Sequence, residues 1–487
     1  MRARRIAVVV LVFAAFMDLL DTTIVNVALP SIQADLGATA SQLEWIVSGY
    51  VLAFAVLLIT GGRLGDIYGR KRMFLIGVAG FTLASASCAA ATTGDMLVAS
   101  RLVQGLFAAL MTPQVLSIIQ VLFAPKERAA VFGALGAISG LAAVAGPLIG
   151  GVLVTQNAFD LGWRTIFLIN LPVGVALFIV AAFVIPESRS TDRVRLDVTG
   201  VILISAALFL AVFALIEGRA EGWPAWIWLM LALSPVLLVT FVVYQRHLGR
   251  SGGSALVPLS LFASRGYSAG VITNFSFGAS IGGFFLILVL YLQIGLQYSA
   301  LEAALATLPF SIGALVGSGL AVPFGPRLGR RLILTGALAQ IAGLWWIRVI
   351  VTEQADSLVG TDLFLPMALA GVGLTMLVVP LTDVSLANTP VVNAGAASGV
   401  FGTFQQVGSA LGIAVVGVVF FGIAETAYTA ENLRLAFLAG LWVPMSALAV
   451  AAVVTFLLPS VADVKTLKAN ASAEAEPEGQ TSPAPVG

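Results

Sequence analysis

Apolar residues in this chain fall into stretches of about 20, the length a helix needs to cross a bilayer. Short clusters of charge, glycine or proline part them. Breaking the sequence at those clusters predicts fourteen spanning helices. They fall near residues 6–29, 43–61, 73–93, 96–121, 129–154, 163–185, 196–217, 224–245, 267–292, 302–322, 331–351, 362–382, 395–422 and 433–458. The first follows Met1-Arg2-Ala3-Arg4-Arg5 and so has the outline of a secretion signal. Two aspartates interrupt its apolar run and no small-residue cleavage site follows, so it is predicted to stay as the first helix. From about Val461 the pattern gives way to an acidic, proline-bearing tail that is predicted to be disordered.

The cations give the pattern an orientation. With the N-terminus inside, the inner segments hold Arg2, Arg4 and Arg5, then Arg63, Arg70, Lys71 and Arg72, then Lys126 and Arg128. Arg189, Arg193 and Arg195 follow, then Arg246, Arg250 and Arg265, then Arg327, Arg330 and Arg331, with Lys465 and Lys468 in the tail. These are 20 of the 25 Lys and Arg. Cytoplasmic segments carry such an excess, so both termini are expected in the cytoplasm.

Composition fits the same class. Hydrophobic residues make up 59% of the chain and charged ones 10%, with mean hydropathy +1.02. Soluble domains carry about 25% charge. The fold class is therefore an all-α polytopic membrane protein. The net charge of +1, confined to short connections, gives no reason to expect nucleic acid. The single cysteine, Cys88, permits no intramolecular disulfide or metal cluster, and the single histidine, His247, lies in a basic connection. No G-x-x-x-x-G-K-[ST] loop appears, so transport driven by ATP is not expected. No nucleophile, base or metal constellation stands at useful spacing, so neither an enzyme nor a cofactor is expected.

One connection organises the rest: Gly62-Arg63-Leu64-Gly65-Asp66-Ile67-Tyr68-Gly69-Arg70-Lys71-Arg72. Its glycines allow a tight reversal. Asp66 and Arg70 are four apart, so one helical turn brings them together. Topology alone needs the cations but not this glycine and aspartate spacing. A shift of 260 residues lays Leu36–Arg72 over Leu296–Leu332 without gaps. Gly65, Gly69, Arg70 and Lys71 then face Gly325, Gly329, Arg330 and Arg331, and Pro326 stands where Asp66 does. Repeated halves characterise alternating-access transporters. The predicted arrangement is 6+2+6. A six-helix half covers 1–190, two linking helices with a cytoplasmic connection cover 191–265, a second half covers 266–460, and the tail covers 461–487.

A charge at the bilayer centre costs about 2.5–3.5 kcal/mol and so marks a pathway or relay. Asp18 and Asp21 are three apart and share a helical face. Asp21 lies roughly 23 Å along a helix begun at Ile6. Two such carboxylates are expected to titrate as a coupled pair, able to take up and release a proton as access changes. The alternative is an aspartate in a watery helix mouth. Arg101 either faces Asp21 or snorkels to the outer headgroups. Gln104, one turn on, serves an interhelical hydrogen bond or, with Asn26 and Gln405, lines a substrate path. Gly133, Gly136, Gly140, Gly146, Gly150 and Gly151 crowd the fifth span around Pro147. Small residues let helices approach and proline bends them, so this helix is expected to pack on its pseudo-symmetric partner and seal a cavity. Ordinary packing would use the same glycines. Arg348 is expected to snorkel near a helix end.

Several stretches resemble the major facilitator superfamily, and within it the fourteen-span drug:proton antiporter branch. Leu20-Asp21-Thr22-Thr23-Ile24-Val25-Asn26-Val27-Ala28-Leu29-Pro30 is similar to that branch's first-helix motif, and Gly62–Arg72 to the superfamily's signature loop. Arg101-Leu102-Val103-Gln104-Gly105 is similar to the helix 4 motif of proton-coupled members. Gly146-Pro147-Leu148-Ile149-Gly150-Gly151 is similar to the core of the antiporter motif, and Trp163 to Pro172 to the start of helix 6. Gln405-Gln406-Val407-Gly408 is of the type expected later. Two departures stand out. Ala142 replaces a glycine of the antiporter motif, and the second copy of the loop lacks its acid.

The resemblance implies Asp21 as the coupling acid, Arg101 in proton transfer, and Gly62, Gly65, Asp66, Gly69, Arg70 and Lys71 as a gating loop. Asp66 would hold a cation or a helix N-terminus across the interface. The expected function is proton-coupled antiport that exports drugs, antibiotics or other small amphiphiles across the plasma membrane. The alternatives are a transporter of one physiological metabolite in either direction and a transport-inactive ligand sensor. The expected partners are substrate, protons and the lipid bilayer, with the chain acting as a monomer.

Overall fold

The structure, a computed structural model, describes residues 2–123, 125–157, 160–189, 196–251, 253, 255–354, 358–386, 394–425 and 429–463. Arg193, Arg195, Lys465, Lys468 and the acidic tail lie outside the described residues. So do the side chains of Arg2, Lys126 and Arg128 and the surroundings of Gly133, Gly136 and Gly140.

The helices follow one another with short connections. They are α1 (Arg2–Leu36), α2 (Ala40–Tyr68), α3 (Arg70–Ala89), α4 (Gly94–Leu122), α5 (Pro125–Gln156), α6 (Gly162–Val184) and α7 (Val198–Ala220). Then come α8 (Ala225–Arg250), α9 (Arg265–Leu290), α10 (Ala300–Leu328), α11 (Arg330–Glu353), α12 (Gly360–Ser385), α13 (Ala394–Ala424) and α14 (Ala430–Leu457). Among the described residues thirteen are long and apolar enough to cross a membrane, and α5 adds the apolar stretch Ala145–Gln156. No strand occurs among the described residues. Large apolar side chains face outward, Phe183 at 86% exposure and Leu83 at 72%. That is the surface a hydrocarbon solvent calls for.

The helices outrun the predicted spans. The stretch Gly62–Tyr68 is not a loop: it continues α2, and the chain reverses at Gly69 alone, whose φ is 111°. Likewise α10 runs to Leu328 and turns at Gly329, φ 51°. Charge beyond the bilayer does not stop a helix, whereas a residue at positive φ does, and glycine takes that conformation without a Cβ penalty. Two helices are interrupted within the membrane. Regular helix in α6 pauses between Leu168 and Asn170, just before Pro172, and in α14 between Gly440 and Trp442, just before Pro444. Each proline lacks the N–H for a backbone bond and crowds the carbonyl four residues earlier.

Packing among the first six helices recurs among the last six. In the first set α1 meets α5 and α6, α2 and α3 meet α4, and α3 meets α6. In the last set α9 meets α13 and α14, α10 and α11 meet α12, and α11 meets α14. Two seams join the sets, α2 against α13 and α5 against α10. The hairpin α7–α8 leans on α2 and α13 through α7. The fifth helix therefore packs on α1 and α10. Its counterpart in the repeat is α13, and a two-fold relation between the sets puts that helix on the other seam.

Candidate functional site

The site is built by close contact of α2 with α4. A Cβ on Gly61 would lie 2.0 Å from the Ala109 carbonyl oxygen, and one on Gly105 2.4 Å from that of Tyr50. Glycine at both positions draws the backbones together, as small residues do in membranes. Arg101, one turn before Gly105, is thereby pressed under α2 and is 1% exposed. Its Nε donates to the Ile46 carbonyl (3.1 Å) and its guanidinium lies 4.2 Å from the Tyr50 ring centre. Arg101 does not reach the headgroups.

Asp21 on α1 is fully buried beside it. The Arg101 Nη1 donates to Asp21 Oδ2 at 2.5 Å. Gln104 Nε2 and Asn170 Nδ2 both donate to Asp21 Oδ1, at 2.9 and 2.8 Å. Gln104 also accepts from Arg101 (2.7 Å), and Asn170 donates to Ser85 Oγ (3.0 Å). Asn170 sits at the α6 interruption, and Ser85 Oγ donates to the Phe167 carbonyl there. The carboxylate thus meets a cation and two amides from α4 and α6. A buried charge survives only with partners of this kind.

Asp18, one turn earlier, has a separate set. The Tyr50 hydroxyl donates to its Oδ1 at 2.6 Å and the Thr112 hydroxyl to its Oδ2 at 3.1 Å. Tyr50 links the two acids, with its hydroxyl on Asp18 and its ring under Arg101. The sequence gives Asp18 and Asp21 a shared face, and the fold gives them different company: hydroxyls for one, a guanidinium for the other. Neither opens onto a watery helix mouth, since Asp18 is 6% exposed.

The other predicted residues are placed as follows. Arg70 bonds Asp66 at 2.8 Å, the pairing that their spacing predicts. Asp66 does not reach across a seam. The acid at the α3 N-terminus is Glu187, which accepts from the backbone N–H of Lys71 (3.1 Å) and Arg72 (3.2 Å). Lys71 Nζ donates to the Ala182 carbonyl at 2.6 Å. Gly65 lies against Gln114, and Gly62 is more open. Gly146 and Gly150 face Thr23 and Ile24 of α1, Gly151 faces Ala300 and Leu301 of α10, and Pro147 between them is half-buried. Asn26 is half-buried and turns back to the Thr22 carbonyl (3.4 Å), while Gln405 is half-buried on α13. Gln104 is wholly engaged with Asp21, Arg101 and the Cys88 thiol. Arg348 does not snorkel: it donates to the Leu438 carbonyl beside the α14 interruption and lies over Trp442.

Sequence reading missed Tyr50 and Glu44. Both lie inside an apolar run, and only the fold shows what each faces. Glu44 on α2 is fully buried and meets Arg219 of α7 at 3.4 Å. A separate open groove of about 520 Å³ on the outer face of the bundle between α1 and α6 is lined by apolar residues such as Phe13, Pro172 and Leu177. It does not touch the Asp21 network. Among the described residues no cluster of His, Cys, Asp and Glu has the makings of a metal site.

A family model, the Major Facilitator Superfamily, matches residues 11–413. The chain is 43% identical over 431 residues to the probable actinorhodin transporter of Streptomyces coelicolor, covering 88% of this chain and 75% of that one. It is 38% identical over 412 residues to the tetracenomycin C resistance and export protein of Streptomyces glaucescens (82% and 73% covered). It is 33% identical over 407 residues to the multidrug resistance protein Stp of Mycobacterium tuberculosis (83% and 73%). Among solved structures, a peptide transporter POT in complex with sulfate aligns with TM-score 0.65 at 18% identity, over 93% of this chain and 95% of that one. A bacterial homolog of the human lysosomal transporter Spinster, inward-facing and unoccupied, aligns with TM-score 0.61 at 16% identity, over 93% and 97%. Buried network, repeated six-helix packing and matched sequence agree: the chain belongs to the Major Facilitator Superfamily.

Proposed function

We propose that this chain is a proton-coupled antiporter that exports small amphiphilic compounds, antibiotics among them, across the plasma membrane by alternating access. The observation that carries the reading is the Asp21–Arg101 pair, closed in by Gln104 and Asn170. A proton on Asp21 cancels the charge that Arg101 neutralises. The guanidinium is then held by carbonyls and the rings of Tyr50 and Phe167, and the contact between α1 and α4 weakens. The direction is supported by the relative named for tetracenomycin C resistance and export.

The recurring packing supports a 6+2+6 division, with halves at 1–190 and 266–460 and α7–α8 between them. The cation distribution supports placing the Gly69 end of the bundle, with both termini, in the cytoplasm. The seams then close on the outside. Gln293 Nε2 donates to the Val27 carbonyl (2.8 Å) there, and the Leu301 N–H to Thr155 Oγ1 (3.3 Å). Such a state takes substrate from the inner side, and Gly151 lets α5 close on α10 in the outer seal while Gly146 and Gly150 seat α5 on α1. The helical turn Gly62–Arg72 stiffens the inner rim.

The test is transport in everted vesicles that hold the full chain. Adding a transported compound should release protons in the parent and not in Asp21→Asn. Equal release from both would overturn the coupling. A narrower reading, export of one secreted compound, is favoured by relatives named for single products, actinorhodin and tetracenomycin C. A compound panel in an efflux-deficient host separates the two, one strong protection against many weak ones.

A further inference from the structure

The hairpin α7–α8 has no part in the site above, yet α7 delivers Arg219 to the outer seam between α2 and α13. Arg219 is 10% exposed and bridges two acids: Glu44 of α2 at 3.4 Å and Glu425, the residue after α13. Its guanidinium also lies 5.2 Å from the Phe421 ring centre on α13. Gly417 of α13 makes the room, because a Cβ there would lie 2.1 Å from Glu44 Oε2.

The two acids are not equivalent. The end of α7 is tied to α2 by more than charge: Trp45 Nε1 donates to Glu217 at 2.8 Å, and the Trp45 ring packs on Phe209 and Phe213. Glu44 is thus the home partner of Arg219, and Glu425 stands across the seam. The cluster is also incompletely satisfied. Glu44 Oε2 and Arg219 Nε are buried without a hydrogen-bond partner among the described residues. Buried ion pairs are poor sources of stability when their remaining atoms go unmatched. This arrangement suits a contact that breaks and re-forms better than a permanent brace.

We propose that Arg219 is a latch, by which the linking hairpin holds the outer seam shut through Glu425 while Glu44 keeps the guanidinium charge matched when the seam opens. The proposal rests on the alternating-access reading above. It makes α7 a positioning element for the outer gate and lets it ride with the first half.

The test uses the full chain in nanodiscs with Cys88→Ser and one reporter cysteine, labelled by a water-soluble maleimide. Ala304→Cys reports the outer part of the companion α5–α10 seam, where Ala304 faces Gly151 and which parts together with the α2–α13 seam when the halves rock. Leu58→Cys reports the inner part of the α2–α13 seam, near Gly402. Glu425→Gln, at an exposed position, should raise outer labelling about fivefold and lower inner labelling, as expected for loss of one ion pair. Arg219→Gln should do the same, and the double variant should do no more than either. Unchanged labelling in Glu425→Gln overturns the latch. So does a rise at both reporters, which marks mere loosening. Failure of alternating access is told apart with Glu425 intact: a chain that does not alternate keeps both reporters fixed on a step from alkaline to acidic buffer. One that alternates without a latch responds to that step but not to Glu425→Gln.

Discussion

Thr39–Arg72 and Ser299–Leu332 are the same backbone frame used twice. Each opens with a capping box, Thr39 with Gln42 and Ser299 with Glu302. Each runs 29 helical residues, turns at one glycine of positive φ, and resumes at an arginine. The chemistry then parts. In the first copy Arg70 bonds Asp66 and Glu187 covers the next helix start; in the second Arg330 donates to the carbonyls of Phe456 and Leu458. Deeper in the membrane the contrast widens. The first six helices bury Asp18, Asp21, Glu44 and Arg101, whereas among the described residues α9–α14 bury no charge and use Asn274, Thr307 and Gln340 instead. Turning a chain at a membrane surface requires the shared frame. Nothing in that task requires buried charge, which one copy alone carries.

The largest expected effect breaks this contrast at its centre. Arg101→Leu leaves Asp21 buried without its cation and should cost about 3–5 kcal/mol. Gln340→Leu, at a site 1% exposed whose Oε1 has no partner, should cost about 1 kcal/mol or less. Apparent Tm in detergent, read by a fluorogenic maleimide reaching the buried Cys88, compares them directly. Equal losses would mean that the two copies carry the same structural load.

A second pair sharpens the comparison at matched positions. A Cβ on Gly65 would lie 1.9 Å from Gln114 Oε1. That amide cannot simply swing away, because its Nε2 donates to the Gly61 carbonyl at 2.8 Å and the Leu110 carbonyl at 3.1 Å. At Gly325 the nearest atom is 3.6 Å away, on Pro380. Gly65→Ala should therefore destabilise by about 1–3 kcal/mol. Gly325→Ala should be neutral or stabilise by up to about 1 kcal/mol, through helix propensity. The same thermal assay reads both.

These differences mark how far the sequence could be read. Helix number and order follow from apolar stretches long enough to span. The repeat follows from Gly69 and Gly329, because a positive φ leaves its trace in residue type. Helix ends were harder: Gly62–Tyr68 is rich in glycine and charge, yet it stays helical because only Gly69 leaves the helical region of φ. The Asp66–Arg70 pair is local and was legible from spacing. Partners from distant helices were not. Glu187 on α3, Tyr50 between two aspartates and Arg219 on Glu44 join residues 116, 32 and 175 positions apart. No periodicity encodes which faces meet.

The smallest effects lie at the glycine turn itself. Glu187→Gln removes a carboxylate that accepts two N–H groups at the start of α3 and should cost about 1 kcal/mol. Asp66→Ala breaks only a half-exposed pair one helical turn apart, worth about 0.3–0.5 kcal/mol. Its stability loss should barely register in Tm, and it should match that of Arg330→Gln in the other copy. Transport is where the two should part. If the rim at the Gly69 end needs Arg70 held in place, Asp66→Ala slows the proposed proton-linked export in everted vesicles while Arg330→Gln, in a copy without the acid, slows it less. Equal slowing by both would mean that the acid marks no division of labour between the copies, and that the turn matters only as a turn.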